Sequence, residues 1–201
     1  MTKNSVLKQQ AKAQLGNCIF AKNWLLMVVV GIIVVAASSI ATTITGFIGG
    51  IGGIVIAGAV SYGIARITTN LAKGAEKVNF KDLLAGFTDG FFKIFLLEFM
   101  AGIFVMLWSL LFLIPGIVKT YSYAMAPYIM QDDPSKGWNQ CITESRQMMK
   151  GHKWQLFWLD ISFIGWDIVC LFTFGLGGWF LNPYKRQARA NFYLAVKEAQ
   201  D

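Results

Sequence analysis

Four charged residues sit inside long apolar runs of this 201-residue chain: Glu98, Lys119, Asp160 and Asp167. Lys185, Arg186 and Arg189 join them if the last apolar segment also crosses lipid. A charged side chain at mid-depth of a bilayer costs roughly 2–4 kcal/mol, so such groups turn toward partners, water or a bundle interior. Asp160 and Asp167 share one helical face, about 10 Å apart along the axis. That separation is too large for two carboxyls to share a proton as a catalytic pair. Two readings stay open. A polar interior of Glu98, Lys119, Asp160, Asp167, Arg186 and Arg189 would pass ions or protons, or hold an anionic headgroup. Alternatively, the charges are structural ion pairs that fix helix order. Lys119, just past Pro115, is expected toward the outer side, facing whatever Asp160 and Asp167 line.

A second group is basic and lies between the apolar runs: Lys136, Arg146, Lys150, His152 and Lys153. Such residues on an amphipathic helix suit anionic headgroups or a protein partner, or simple anchoring at the interface. Other chemistry finds no support. His152 is the single histidine, and Cys18, Cys141 and Cys170 are far apart, so no metal site and no cofactor is expected. There is no GxSxG, HExxH or Walker motif, which leaves an enzyme without a motif to stand on. A net charge of +7 can signal nucleic acid, but these cations flank apolar spans and no nucleic-acid motif accompanies them.

The elements that must position these residues read as membrane helices. The chain is 55% hydrophobic and only 14% charged, with mean hydropathy +0.51, far from the roughly one-quarter charged residues of soluble domains. Residues 1–23 carry four lysines and no acid, with Leu7, Ala11, Leu15 and Cys18 at helical spacing. This predicts a helix lying in the interface and a retained anchor rather than a cleaved signal. Spans are expected at 24–45, 54–71, 91–114, 117–131 and 154–174. Asn79 can cap a short helix, FKDLLAGF, with Asp82 in its first turn. Asp133-Pro134 reads as the start of an amphipathic helix that Gly151 stops. Trp138, Cys141, Ile142, Ser145, Met148 and Met149 form its apolar face. Trp154 and Trp158 suit the headgroup level.

The spans group into three hairpins. The first spans 24–71, the second 91–131, and the third lies within 154–201. The connectors are 72–90 and the amphipathic 132–153. Their turns, GFIGGIGG, IPG at Pro115-Gly116, and GLGG, carry no charge. The positive-inside rule then puts both termini and both connectors in the cytoplasm. It also favours six spans over five, since five would leave Lys185, Arg186, Arg189 and Lys197 outside. The expected fold is all-α: a single polytopic membrane helical bundle of about six transmembrane helices plus interfacial helices.

The stretches LWSLLFLIPGIVK, YSYAMAPYIMQDDPS, SRQMMKGHKWQLFWLDISFIGW, GLGGWFLNPY and NFY resemble a bacterial integral-membrane family called domain of unknown function 975. The resemblance covers nearly the whole chain and is strongest from Trp108 to Tyr193. It implies a multi-spanning protein of the bacterial cytoplasmic membrane and supplies no catalytic residues. After Pro183-Tyr184 this chain is more basic than the family pattern, which leaves the path of the last helix open. The expected role is accessory or protective: immunity to membrane-active peptides, lipid organisation, or support of envelope stress or export. The alternative is a small transporter or channel. Expected partners are the lipid bilayer, anionic headgroups, and another membrane protein or a second copy; nucleic acid is not among them.

Overall fold

Among the described residues, ten α-helices and one 3₁₀ segment account for most of the chain. The computed structural model describes residues 3–45, 49–88, 90–111, 113–172 and 176–200. In chain order the helices are α1 (Asn4–Leu15), α2 (Lys22–Thr45), α3 (Gly49–Ala72), a 3₁₀ segment (Phe80–Leu84) running into α4 (Ala85–Thr88), α5 (Phe91–Leu111), α6 (Leu113–Tyr123), α7 (Ala126–Asp132), α8 (Trp138–Met148), α9 (Lys153–Phe172) and α10 (Leu176–Glu198). Among the described residues there is no strand, so the fold is all-α as expected.

Two compact units form. One comprises Met1–Ile33, Ile67–Asn79 and Trp154–Asp201; the other comprises Val34–Arg66 and Phe80–Lys153. In the first, α1 buries Leu7, Ala11 and Leu15 completely or nearly so. They pack on α10, so this apolar stripe faces protein, not the interface that the sequence suggested. Cys18 lies beyond the helix and is exposed. Polar groups of α10 secure the contact. The buried Gln187 amide donates to Gln14 Oε1 (2.8 Å) and to the Thr68 carbonyl (3.0 Å), and Asn191 donates to the Leu7 carbonyl (3.3 Å). Buried amides of this kind are costly unless paired, so they specify the packing.

In the second unit, α5 is the one described helix long and apolar enough to cross a membrane. Phe91–Leu110 has mean hydropathy 2.0, and only 11% of its apolar window is buried. The core helix of a soluble protein would be mostly buried instead. The short helix predicted before it is present as the 3₁₀ segment and α4, but the turn predicted after it changes. Pro115 and Gly116 are not the turn; both lie inside α6. Proline is tolerated near a helix start, where its missing N–H has no partner to lose. Gly116 instead marks close packing, because a Cβ there would collide with the Ser109 hydroxyl and stand 2.8 Å from Ser109 Cα. The glycine runs behave alike: α3 begins at Gly49 and α10 at Leu176, so the later glycines of both predicted turns are helical. Residues 46–48 and 173–175 lie outside the described residues.

The predicted span 117–131 is also not one helix. It breaks between Tyr123 and Ala126, with Pro127 at the start of α7, since proline cannot donate to the preceding turn and crowds its carbonyl. At 11 residues, α6 is about 16 Å long and too short to span alone. The helix predicted from Asp133-Pro134 starts later, at Trp138. There the Gln140 side chain accepts the Gly137 N–H at 3.1 Å. Asp133 ends α7 and accepts the Ser135 N–H at 3.1 Å. The Ser135 hydroxyl adds a second bond and holds this exposed carboxyl below its usual range.

Candidate functional site: a basic pocket on α6 and α8

Helix α8 has the apolar face read from the sequence. Cys141, Ile142, Ser145, Met148 and Met149 are buried. That face packs on α5, α6 and α7, which corrects the expectation of a helix resting on lipid. Burial pushes the Cys141 thiol up to about 11. The Ser145 hydroxyl, itself fully buried, donates to the Ser122 carbonyl at 2.8 Å and fixes α8 against α6.

With the apolar side committed, the opposite side presents Thr143, Arg146 and Gln147, at helical positions i, i+3 and i+4 that share a face, and Lys150 follows in the turn after the helix. Gly151, at φ +81°, reverses the chain after α8, a conformation that glycine adopts without strain. The reversal returns Lys153 to the same place. Together with Lys119 and Ser122 of α6, these residues line a cavity of about 220 Å³. It holds four cations and no carboxylate. Among the described residues none of the four is paired with an acid. Lys119 lies over the Trp108 ring, 4.4 Å from its centre, and feels the charges of Arg146 and Lys153. Unscreened like charges repel, and an anion in the cavity relieves that repulsion.

The sequence singled out eleven site residues, and the structure divides them. Arg146, Lys150 and Lys153 come together as expected. Lys136 does not join them: its ammonium pairs with Glu144 at 2.7 Å and reaches Asp133 at 4.0 Å. The Glu144 hydrogen bond raises Lys136 above the usual lysine range. His152 does not line the cavity, and its buried Nδ1 has no hydrogen-bond partner. Lys119, expected toward the outer side and facing the line of Asp160 and Asp167, lines the cavity with the α8 cations. Thr143, Gln147 and Ser122 were missed. The i, i+3, i+4, i+7 stripe was the signal for the first two; the third needs the Ser145 contact.

Two acids of the expected polar interior are in ion pairs. In the first unit Asp167 accepts from Lys185 through both oxygens at 2.5 Å, and Asp160 accepts from Arg189 at 2.8 and 3.2 Å. Antiparallel α9 and α10 bring these positions level. Arg186 is exposed on the same helix. In the second unit Glu98 accepts a hydrogen bond from Ser61. Its Oε1 is buried without a partner, and Gly58 backs the side chain, with 3.4 Å available to a Cβ. No group of three or more metal-ligating residues occurs among the described residues.

A model of the family described as protein of unknown function (DUF975) matches residues 1–122 and 110–200. The chain belongs to this family. No curated protein and no solved structure matches it. The DUF975 match therefore assigns the chain without assigning a residue, and the roles of Lys119, Arg146, Lys150 and Lys153 rest on their geometry.

Proposed function

We propose that this protein is a multi-pass component of the cytoplasmic membrane that binds anionic, phosphate-bearing lipid headgroups through the basic pocket and acts as an accessory, non-enzymatic membrane protein. The observation that carries the reading is the pocket itself: Lys119, Arg146, Lys150 and Lys153 around about 220 Å³ with no acid in the lining. Basic clusters of this kind beside a membrane helix attract anionic headgroups, worth about 1 kcal/mol per cation near the surface.

The membrane setting is supported by what the helices leave uncovered. Ile32, Ile33 and Val35 on α2, Met106, Leu107 and Leu110 on α5, Ile114, Ile117 and Val118 on α6, and Trp166, Ile168 and Val169 on α9 are all exposed. Apolar surface on this scale needs a lipid or protein cover. Trp154 and Trp158 are exposed and meet edge-on at 5.8 Å, as suits a headgroup-level belt. On this reading α2, α3 and α5 each have the length to cross, α6 and α7 together complete the second hairpin as a broken helix, and both termini are cytoplasmic.

A second reading, transport through a polar interior, has one observation in its favour: the half-satisfied carboxyl of Glu98. The paired state of Asp160 and Asp167 weighs against it, because those charges are already satisfied. The test is native mass spectrometry of the full-length protein extracted from vesicles holding equal anionic and zwitterionic phospholipid. The account expects selective retention of the anionic lipid, lost in Arg146→Gln/Lys150→Gln/Lys153→Gln. Equal retention by wild type and variant would remove the proposal. Competition by inorganic phosphate alone, with no lipid retained, would reassign the pocket to a soluble anion.

A further inference from the structure

The first unit contains a different kind of cavity. About 470 Å³ lies between the end of α1, the start of α2, and the facing stretches of α9 and α10. Its walls are apolar and aromatic: Trp24, Trp166, Val169, Phe180 and Tyr184 contribute, and Lys12 is the one charged residue in the lining. Small-molecule sites have this volume and this make-up, mostly apolar with a few placed polar groups.

The wall is held in place before any ligand arrives. The Trp24 indole N–H donates to the Phe180 carbonyl at 2.7 Å. Its ring meets Tyr184 at 5.9 Å, and Tyr184 stands edge-on to Phe163 at 5.2 Å. Trp24 is 6% exposed, so these contacts fix it. By contrast Trp166 and Val169 are 62% and 54% exposed, which leaves one side of the cleft open laterally. Lys12 sits in the last turn of α1, is exposed, and has no carboxylate partner among the described residues. A single unpaired cation at the edge of an apolar cleft matches one negative charge at the end of one apolar chain. A doubly charged phosphomonoester would bring a second charge that nothing in the lining answers.

We propose that this cleft binds a fatty-acid-class amphiphile, with its carboxylate on Lys12 and its chain along Trp24, Phe180, Tyr184 and the open Trp166–Val169 side. The site is independent of the basic pocket and stands or falls separately. The chain enters from the exposed side, and the lysine distinguishes an acid from an uncharged chain of the same length.

Dibromostearic acid tests this, because bromine quenches tryptophan emission only at contact and two of the seven tryptophans line the cleft. Full-length protein in detergent is titrated with the acid and, separately, with its methyl ester. Expected is saturable quenching by the acid over the linear micelle background that the ester shows. Lys12→Gln shifts half-saturation on the order of tenfold, the size of one charged hydrogen bond. Val169→Phe, placed at an exposed position so that folding is spared, removes saturation by filling the cleft. Non-saturable quenching by the acid overturns the proposal, as does unchanged saturation in either variant when thermal melts show both variants folded.

Discussion

Replacing Asp167 by Asn separates a lipid setting for α9 and α10 from an aqueous one. Asp167 lies 14 residues past the start of α9, about 21 Å along the axis, and so beyond the middle of a ~30 Å hydrocarbon core if α9 crosses. Among the described residues its carboxylate is the one acid paired with Lys185. The variant keeps the shape of the side chain and leaves the ammonium with the Phe163 face, 6.0 Å away. In water the pair is worth ~1 kcal/mol or less. In lipid a lysine without its counter-charge costs about 2.5–3.5 kcal/mol on insertion scales, reduced somewhat as the side chain reaches toward the headgroups. A lipid setting therefore predicts a loss of about 2–3 kcal/mol for Asp167→Asn, and recovery of most of it in Asp167→Asn/Lys185→Met. The two outcomes differ by about 2 kcal/mol, roughly 30-fold in the folding equilibrium. Equilibrium unfolding in bilayer-mimetic detergent, followed by tryptophan emission over the full double-mutant cycle, measures it. A single-variant loss below 1 kcal/mol with no coupling would refute the placement of this hairpin in lipid.

Other expectations follow from individual contacts. Gly116→Ala forces a methyl into Ser109 and should destabilise the second unit by about 1–3 kcal/mol, the usual range for overpacking; Gly116→Ala/Ser109→Gly should recover part of the loss, read in the same unfolding assay. Ser145→Ala removes the buried bond to the Ser122 carbonyl and should cost about 1 kcal/mol, with weaker anionic-lipid retention because α8 is no longer fixed to α6. The Cys141 thiol, raised to about 11 from 9, stays protonated where the unfolded thiol ionises, so its contribution to stability is complete below pH 9 and declines as pH rises from 9 toward 11. In a Cys18→Ser/Cys170→Ser background, alkylation of Cys141 at pH 8 should be far slower than that of Cys18 in the wild type; comparable rates would contradict its burial.

Much of the architecture was legible because it rests on periodicity. The stripe Leu7–Ala11–Leu15 and the face Cys141–Ile142–Ser145–Met148 both appear as buried surfaces, since 3.6-residue spacing is a property of the chain alone. What covers each face was not legible. A stripe facing lipid and a stripe facing α10 or α5–α7 have the same composition, and only tertiary contact separates them. The described residues of the predicted turns are helical for a related reason. Glycine and proline are tolerated in the first turn of a helix, where backbone donors lack partners anyway, so IPG and the glycine runs mark helix starts and close packing. The acids at 160 and 167 could be matched to basic residues of the last helix by antiparallel register, but whether 185, 186 or 189 faces them depends on helix rotation. The meeting of Lys119 with Arg146, Lys150 and Lys153 was not legible, because it depends on the non-local packing of α8 against α6.

Lys119, Arg146, Lys150 and Lys153 are proposed to hold the phosphate of a membrane lipid. The most direct measurement is an experimental structure of the full-length protein in nanodiscs of an anionic phospholipid, determined with and without Lys150→Gln/Lys153→Gln. The prediction is headgroup phosphate density within hydrogen-bond distance of the four cations, continuous with acyl-chain density along exposed α5 and α6, and absent from the variant. A pocket holding only water in wild-type protein surrounded by anionic lipid, with phosphate density elsewhere, would contradict it.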